Sequence, residues 1–176
     1  MLRLQALLLL SHRGKLRVPV EGALWEYARM TSFAKNCRAT VIPGLRYRDC
    51  PAAIEWLCRA FGFEQKAVYP NPDGTIAHAE LRFGNGMIML GSVRPDAPGV
   101  LPFAQPEEIG LRETQVPYLT VSDCTAIYQT AKNAGALMVR DLAEMDYGGK
   151  AFTCRDPEGH LWSLGEYDPW EHPSPA

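Results

Sequence analysis

The stretch "AHAELRF", residues 77 to 83, sets His78, Glu80 and Arg82 at alternate positions of a segment with strand composition, so their side chains share one face. An imidazole beside a carboxylate can move a proton: His78 can act as a general base while Glu80 fixes its tautomer, or the two can serve as an acid–base pair. Two donors do not complete a metal site, and the plainer reading is a polar strand face wetted by solvent or covered at a dimer contact. Other candidates are weaker. His160 falls in a turn, His12 and His172 fall in the tails, and the five cysteines at 37, 50, 58, 124 and 154 include no CxxC pair. That scatter suits reduced thiols packed as small apolar groups better than a zinc knuckle or a disulfide framework.

The elements that must position these residues come in two copies. "TVIPGLRYRD" reads as a strand, Asp49 as the cap of a helix, and "PAAIEWLCRAFGF" as that helix, with Pro51 in its first turn, Ile54, Leu57, Cys58 and Phe61 at helical spacing, and Gly62 at its end. Three strands follow, "KAVYP", "TIAHAELRF" and "MIMLGS", separated by "NPDG" and "GNG" turns. After a proline-rich stretch the order repeats through "VPYLTVSDCTAIYQTAKNAGALMV", "KAFTCRD", a "DPEG" turn and "HLWSLGEY", with Asp49-Cys50 recurring as Asp123-Cys124 at an offset of 74. Each copy alone would leave a sheet face bare, so the copies must pair. The spacing therefore predicts an α+β fold of two tandem βαβββ modules. Residues 1–39 read as a peripheral extension, 40–92 as the first module, 93–115 as a linker, 116–170 as the second module and 171–176 as a tail. In "AHAELRF", alternation expects Ala77, Ala79, Leu81 and Phe83 to cover the helix. It also expects Trp162 in the core and Ser163 on the cavity side.

Composition limits the partners. The chain has 176 residues, 47% of them hydrophobic, which is ample for a core, and its 18 basic and 20 acidic residues offer neither a nucleic-acid stripe nor an acidic tract. The apolar run in "MLRLQALLLL" is too short to span a bilayer and lacks a clear small-x-small cleavage site, so a cytoplasmic protein with no membrane partner is expected. Met30 would be a natural start, with residues 1 to 29 lying upstream of it. The remaining partner is a small molecule or another copy of the chain.

The segments "LRYRDCPAAIEWLCRAFGF", "NPDGTIAHAELRFGNGMIML", "LTVSDCTAIYQTAKNAGA" and above all "YGGKAFTCRDPEGHLWSLGEY" resemble the vicinal oxygen chelate superfamily, which includes glyoxalase I, extradiol dioxygenases and fosfomycin- and bleomycin-resistance proteins. "PDGTIAHAEL" is similar to the subgroup of demethylubiquinone-methyltransferase-like proteins. The resemblance implies paired modules forming a curved mixed sheet around a cavity, often completed in a homodimer, and metal ligands on the first and last strand of each module. Those positions fall on Ile42, Met89, Pro117 and Ser163, none of which is a good ligand for a divalent metal. No metal and no other cofactor are therefore expected. The implied function is metal-independent binding of a small apolar or aromatic molecule, with Ile42, Tyr69, Arg82, Met89, Tyr147, Leu161, Ser163 and Tyr167 as candidate ligand contacts. The alternative is a lyase, isomerase or dioxygenase-like enzyme using His78 and Glu80, as an acid–base pair or at a non-standard metal site.

Overall fold

The computed structural model describes residues 37–94 and 101–171. The chain divides into a unit Met1–Thr40 and a unit Val41–Ala176. The expectations for residues 1–36, which hold His12 and Met30, and for His172 lie outside the described residues.

The second unit carries the repeat. Strand β1 (Gly44–Tyr47) leads into helix α1 (Cys50–Phe61), then β2 (Glu64–Pro70), β3 (Ile76–Phe83) and β4 (Gly86–Ser92). The second copy runs β5 (Tyr118–Thr120), α2 (Cys124–Asn133), β6 (Leu137–Glu144), β7 (Lys150–Arg155) and β8 (Leu161–Gly165). Both helices start as their sequences require. The Asp49 carboxylate accepts from the Ala52 amide at 3.0 Å and the Asp123 carboxylate from the Ala126 amide at 2.9 Å, each satisfying an amide that no helical turn can reach. Gly62, at φ 80°, ends α1 in the left-handed conformation that a side chain would resist.

Each copy forms its own mixed sheet, in the orders β1-β4-β3-β2 and β5-β8-β7-β6, with the first and last strands parallel. Among the described residues there are thus two four-stranded mixed sheets, one for each of the two βαβββ modules the sequence predicts, and no closed barrel. The repeat reaches individual bonds: the Met89 amide donates to the Pro43 carbonyl at 2.8 Å, and the Ser163 amide donates to the Pro117 carbonyl at 3.0 Å.

Alternation holds along β3 for Ala79 and Leu81, both fully buried, but Ala77 is exposed and Ile76 is buried in its place. The pairing of β2 with β3 shifts between Tyr69 and Pro70, and this irregularity reverses the facing of the strand's first residues. Trp162 has no accessible surface and packs against Phe61 and Phe63 of the first module, as the alternation expects. A single core therefore spans both modules, with the Trp56 indole donating across to the Ala134 carbonyl at 2.8 Å.

Candidate functional site

The sheet faces turned away from the helices hold the residues whose types suggest chemistry. On the first sheet, Tyr69, His78, Glu80 and Met89 lie close together: His78 pairs with Tyr69 across β2 and β3 and stacks on its ring at 6.0 Å, while Glu80 pairs with Met89 across β3 and β4. His78 Nε2 lies 3.4 Å from Glu80 Oε1, a long contact, and the other carboxylate oxygen accepts from Lys66 Nζ at 2.6 Å. The Lys66 ammonium holds the Glu80 carboxyl below its ordinary range, with His78 adding to the effect, and Lys66 is raised in return. A carboxylate held low is a weak proton acceptor, which counts against Glu80 as a general base. Arg82 leaves the group and pairs with Glu64.

On the second sheet, Leu161 and Ser163 occupy alternate positions of β8. Ser163 Oγ lies 3.5 Å from Thr153 Oγ1, and Ser163 pairs with Tyr118 across β5. The Tyr118 hydroxyl crosses Gly165 to donate to the Tyr167 carbonyl at 3.1 Å, and the Tyr167 ring meets Tyr147 edge-on at 5.3 Å. Ile42 lies ahead of β1, one residue beyond the Pro43 carbonyl that receives the Met89 amide. Among the described residues no hydrogen bond, ion pair or ring contact joins Tyr69, His78, Glu80, Arg82 or Met89 to Leu161 or Ser163. In one chain these are two separate open faces.

A metal of the kind the resemblance implies does not fit. Met89 and Ser163 offer a thioether and a neutral hydroxyl, and the Pro117 carbonyl is already committed to the Ser163 amide. Among the described residues no three His, Cys, Asp or Glu side chains are grouped closely enough to hold a metal ion. Nor do the buried thiols offer nucleophiles: burial pushes Cys50 and Cys154 up to about 12 and Cys124 up to about 11, and the described cysteines are free.

Sequence reasoning missed the residues where the modules meet. Asp156, nearly fully buried, accepts at one oxygen from the Tyr47 hydroxyl at 2.7 Å and the Trp162 indole at 3.0 Å. Its other oxygen accepts from the amides of Glu158 and His160. Glu158 accepts from the amides of Arg48 and Asp49, both at 2.7 Å. His160 is buried, with Nε2 donating to the Arg46 carbonyl at 3.0 Å and Nδ1 lying 3.1 Å from the Glu113 carboxylate. The "DPEGH" turn is therefore the inter-module clamp. The stretch expected to be a linker folds over this seam as a short turn, Pro106–Ile109, anchored by Arg48 to Glu107 and Glu108 and by Arg155 to the Leu111 carbonyl.

Among the described residues, four cavities stand out. One of 410 Å³ lies between α1 and the Asp156–Glu158 turn, and one of 520 Å³ lies between the end of α1 and the start of α2. Two more, of 460 and 300 Å³, lie under the segment from Leu101 to Gln115. Of the residues expected to touch a ligand, only Leu161 lines any of the four.

Residues 39–164 match the family model of the Glyoxalase/Bleomycin resistance protein/Dioxygenase superfamily. An uncharacterised protein of Mycobacterium tuberculosis is 33% identical over 77% of this chain and 78% of its own length, and one from Mycobacterium bovis is 34% identical over 76% and 86%. Among solved structures, TioX from Micromonospora sp. ML1 superposes with a TM-score of 0.59 at 30% identity, covering 73% of this chain and 98% of TioX. The fosfomycin resistance protein FosX from Mesorhizobium loti shares the fold, with a TM-score of 0.51 at 14% identity over 74% and 93%.

Proposed function

The chain belongs to the Glyoxalase/Bleomycin resistance protein/Dioxygenase superfamily, and we propose that this member binds a small apolar or aromatic molecule without a metal, in a pocket that two copies of the chain complete. The observation that carries the reading is the donor set on the paired first and last strands. Where a metal would need an imidazole or carboxylate from β4 and β8, the chain presents Met89 and Ser163, flanked by Leu161 and Tyr118. Thioether, alkyl and phenol groups suit a flat apolar ligand: they offer contact area and one orienting hydroxyl. The second copy enters because these faces are open in one chain. Setting the first-module face of one copy against the second-module face of the other would enclose Met89, His78 and Tyr69 with Ser163 and Leu161. Cytoplasmic location goes with this reading, and no described helix is long and apolar enough to cross a membrane.

The test is a thermal-shift screen of planar aromatic compounds on the purified full chain, with and without a strong chelator, alongside light-scattering mass determination. The expected result is a ligand that raises the melting temperature equally in both conditions, with its effect lost in Ser163→Phe, and a mass about twice 19.6 kDa. Stabilisation that the chelator abolishes, or a monomer that still binds the ligand, would sink the reading.

The contact between His78 and Glu80 favours a second reading, an enzyme of lyase, isomerase or dioxygenase type that uses this pair at the same pocket. A rate profile in pH that vanishes in His78→Gln would identify it.

A further inference from the structure

Gln105 is 1% exposed, and neither its carboxamide oxygen nor its nitrogen has a hydrogen-bond partner. Its backbone is fully used: the Gln105 amide donates to the Glu108 carboxylate at 2.9 Å, and its carbonyl accepts from the Glu108 amide at 3.0 Å. The segment is thus firmly held while the side chain is left without a partner. A buried amide in that state is costly, and native structures seldom leave one without water or a ligand.

Gln105 borders the 460 Å³ and 300 Å³ cavities, and Arg46, Pro102 and Phe103 also line both. Arg46 reaches from β1 across Gly91, where any side chain would collide with its guanidinium, and lies 5.6 Å from the centre of the Phe103 ring. The Arg46 guanidinium forms no ion pair and no hydrogen bond among the described residues, although its main-chain carbonyl is held by His160. Arg94, on the wall of the smaller cavity, likewise forms no ion pair there. The acid on that wall, Glu108, is already engaged by Arg48 and by the Gln105 amide. The wall of the smaller cavity therefore presents Arg46 without an ion pair, Arg94, whose charge also acts on Asp73, an aromatic ring and a carboxamide without a partner. The last torsion of a glutamine is broad and nearly two-fold, so a half-turn exchanges the carboxamide's donor and acceptor without rebuilding the segment.

We propose that these adjoining cavities form a second binding site, for a small carboxylic acid with an apolar or aromatic body and a neighbouring amide or carbonyl. Arg46 takes the carboxylate in a fork of N–H donors, Gln105 pairs with the amide or carbonyl, and Phe103 covers the body. The site meets the outward face of β8 only at Leu161, which lines the larger cavity, and it does not depend on whether Met89 and Ser163 bind a ligand.

The probe is N-benzoylglycine, which carries the ring, the amide and the carboxylate, titrated calorimetrically into the full-length protein. Its neutral counterpart N-benzoylglycinamide serves as the control. Saturable binding of the acid is expected, with the neutral amide weaker by about tenfold because it gives up the charge-assisted fork. Arg46→Met should weaken the acid by a similar factor. Gln105→Met should weaken it several-fold and also raise the melting temperature of the unliganded protein, because it removes a buried amide with no partner. Ser163→Phe, on the other site, should leave this binding unchanged. No saturable binding at millimolar acid, or equal affinity in wild type, Arg46→Met and Gln105→Met, would overturn the proposal.

Discussion

Asp156, Glu158, His160 and Trp162 sit at every second position of one hairpin, and each reaches into the first module: to the Tyr47 hydroxyl, to the Arg48 and Asp49 amides, to the Arg46 carbonyl, and to Phe61 and Phe63. Trp162 adds a bond of its own to Asp156, so it combines a large apolar area with the hydrogen bond that a buried indole needs. Truncating it opens a cavity where the two modules meet and leaves the Asp156 carboxylate short of one donor. Trp162→Ala should therefore cost about 3–5 kcal/mol, read as a lowered midpoint in urea at an unchanged slope. An unchanged midpoint would remove Trp162 from the shared core. The sequence revealed the facing of Trp162, because a serine follows it on a strand. It could not reveal the first-module partners of Asp156, Glu158 and His160, which lie more than a hundred residues away and depend on how two copies pack. His160 read as a turn histidine for that reason: its burial is created by the other module.

At the scale of elements, the repeat decides what could be read and what could not. Caps, turns and hydrophobic spacing are local, so both helices and the strand order of each copy follow from the chain. The facing of Ala77 depends on a register shift between β2 and β3, and a shift is a property of a pair of strands rather than of either one. The two hairpins also differ where the copies should match. The second hairpin carries Glu158 against the residues that lead into α1. At the same offset the first hairpin has Gly84, which lines the 520 Å³ cleft beside α2. The clamp is therefore one-sided, and α1 depends on the other module for its start. Glu158→Ala leaves the Arg48 and Asp49 amides without acceptors and should cost about 1–3 kcal/mol. Hydrogen exchange should speed up at those two amides while the start of α2 stays as protected as before. Equal loosening of both helix starts would show that the turn supports the whole core and does not act on α1 alone.

For the molecule as a whole, the single core makes buried protons a sensor of folding. Burial raises Cys50 and Cys154 from 9.0 to about 12 and Cys124 from 9.0 to about 11, helped in turn by Glu158, Asp156 and Glu166. Tyr47 is raised well above 10.0, first by burial and then by the Asp156 carboxylate to which it donates. In each case the folded state holds a proton that the unfolded chain releases earlier. Below the unfolded value both states are protonated and stability does not depend on these groups. Above it the unfolded chain binds fewer protons, and stability falls with a slope of up to about 1.4 kcal/mol per pH unit for each group. From neutral pH the melting temperature should thus be level until about 9 and then fall steadily towards the folded values near 11 and 12. Cys154→Ala removes one of these groups from the middle of β7, so its melting temperature should start somewhat lower and decline less steeply above pH 9. A decline as steep as that of the wild type would mean that Cys154 meets solvent in the folded protein, and that the core shared by the two modules is open at β7.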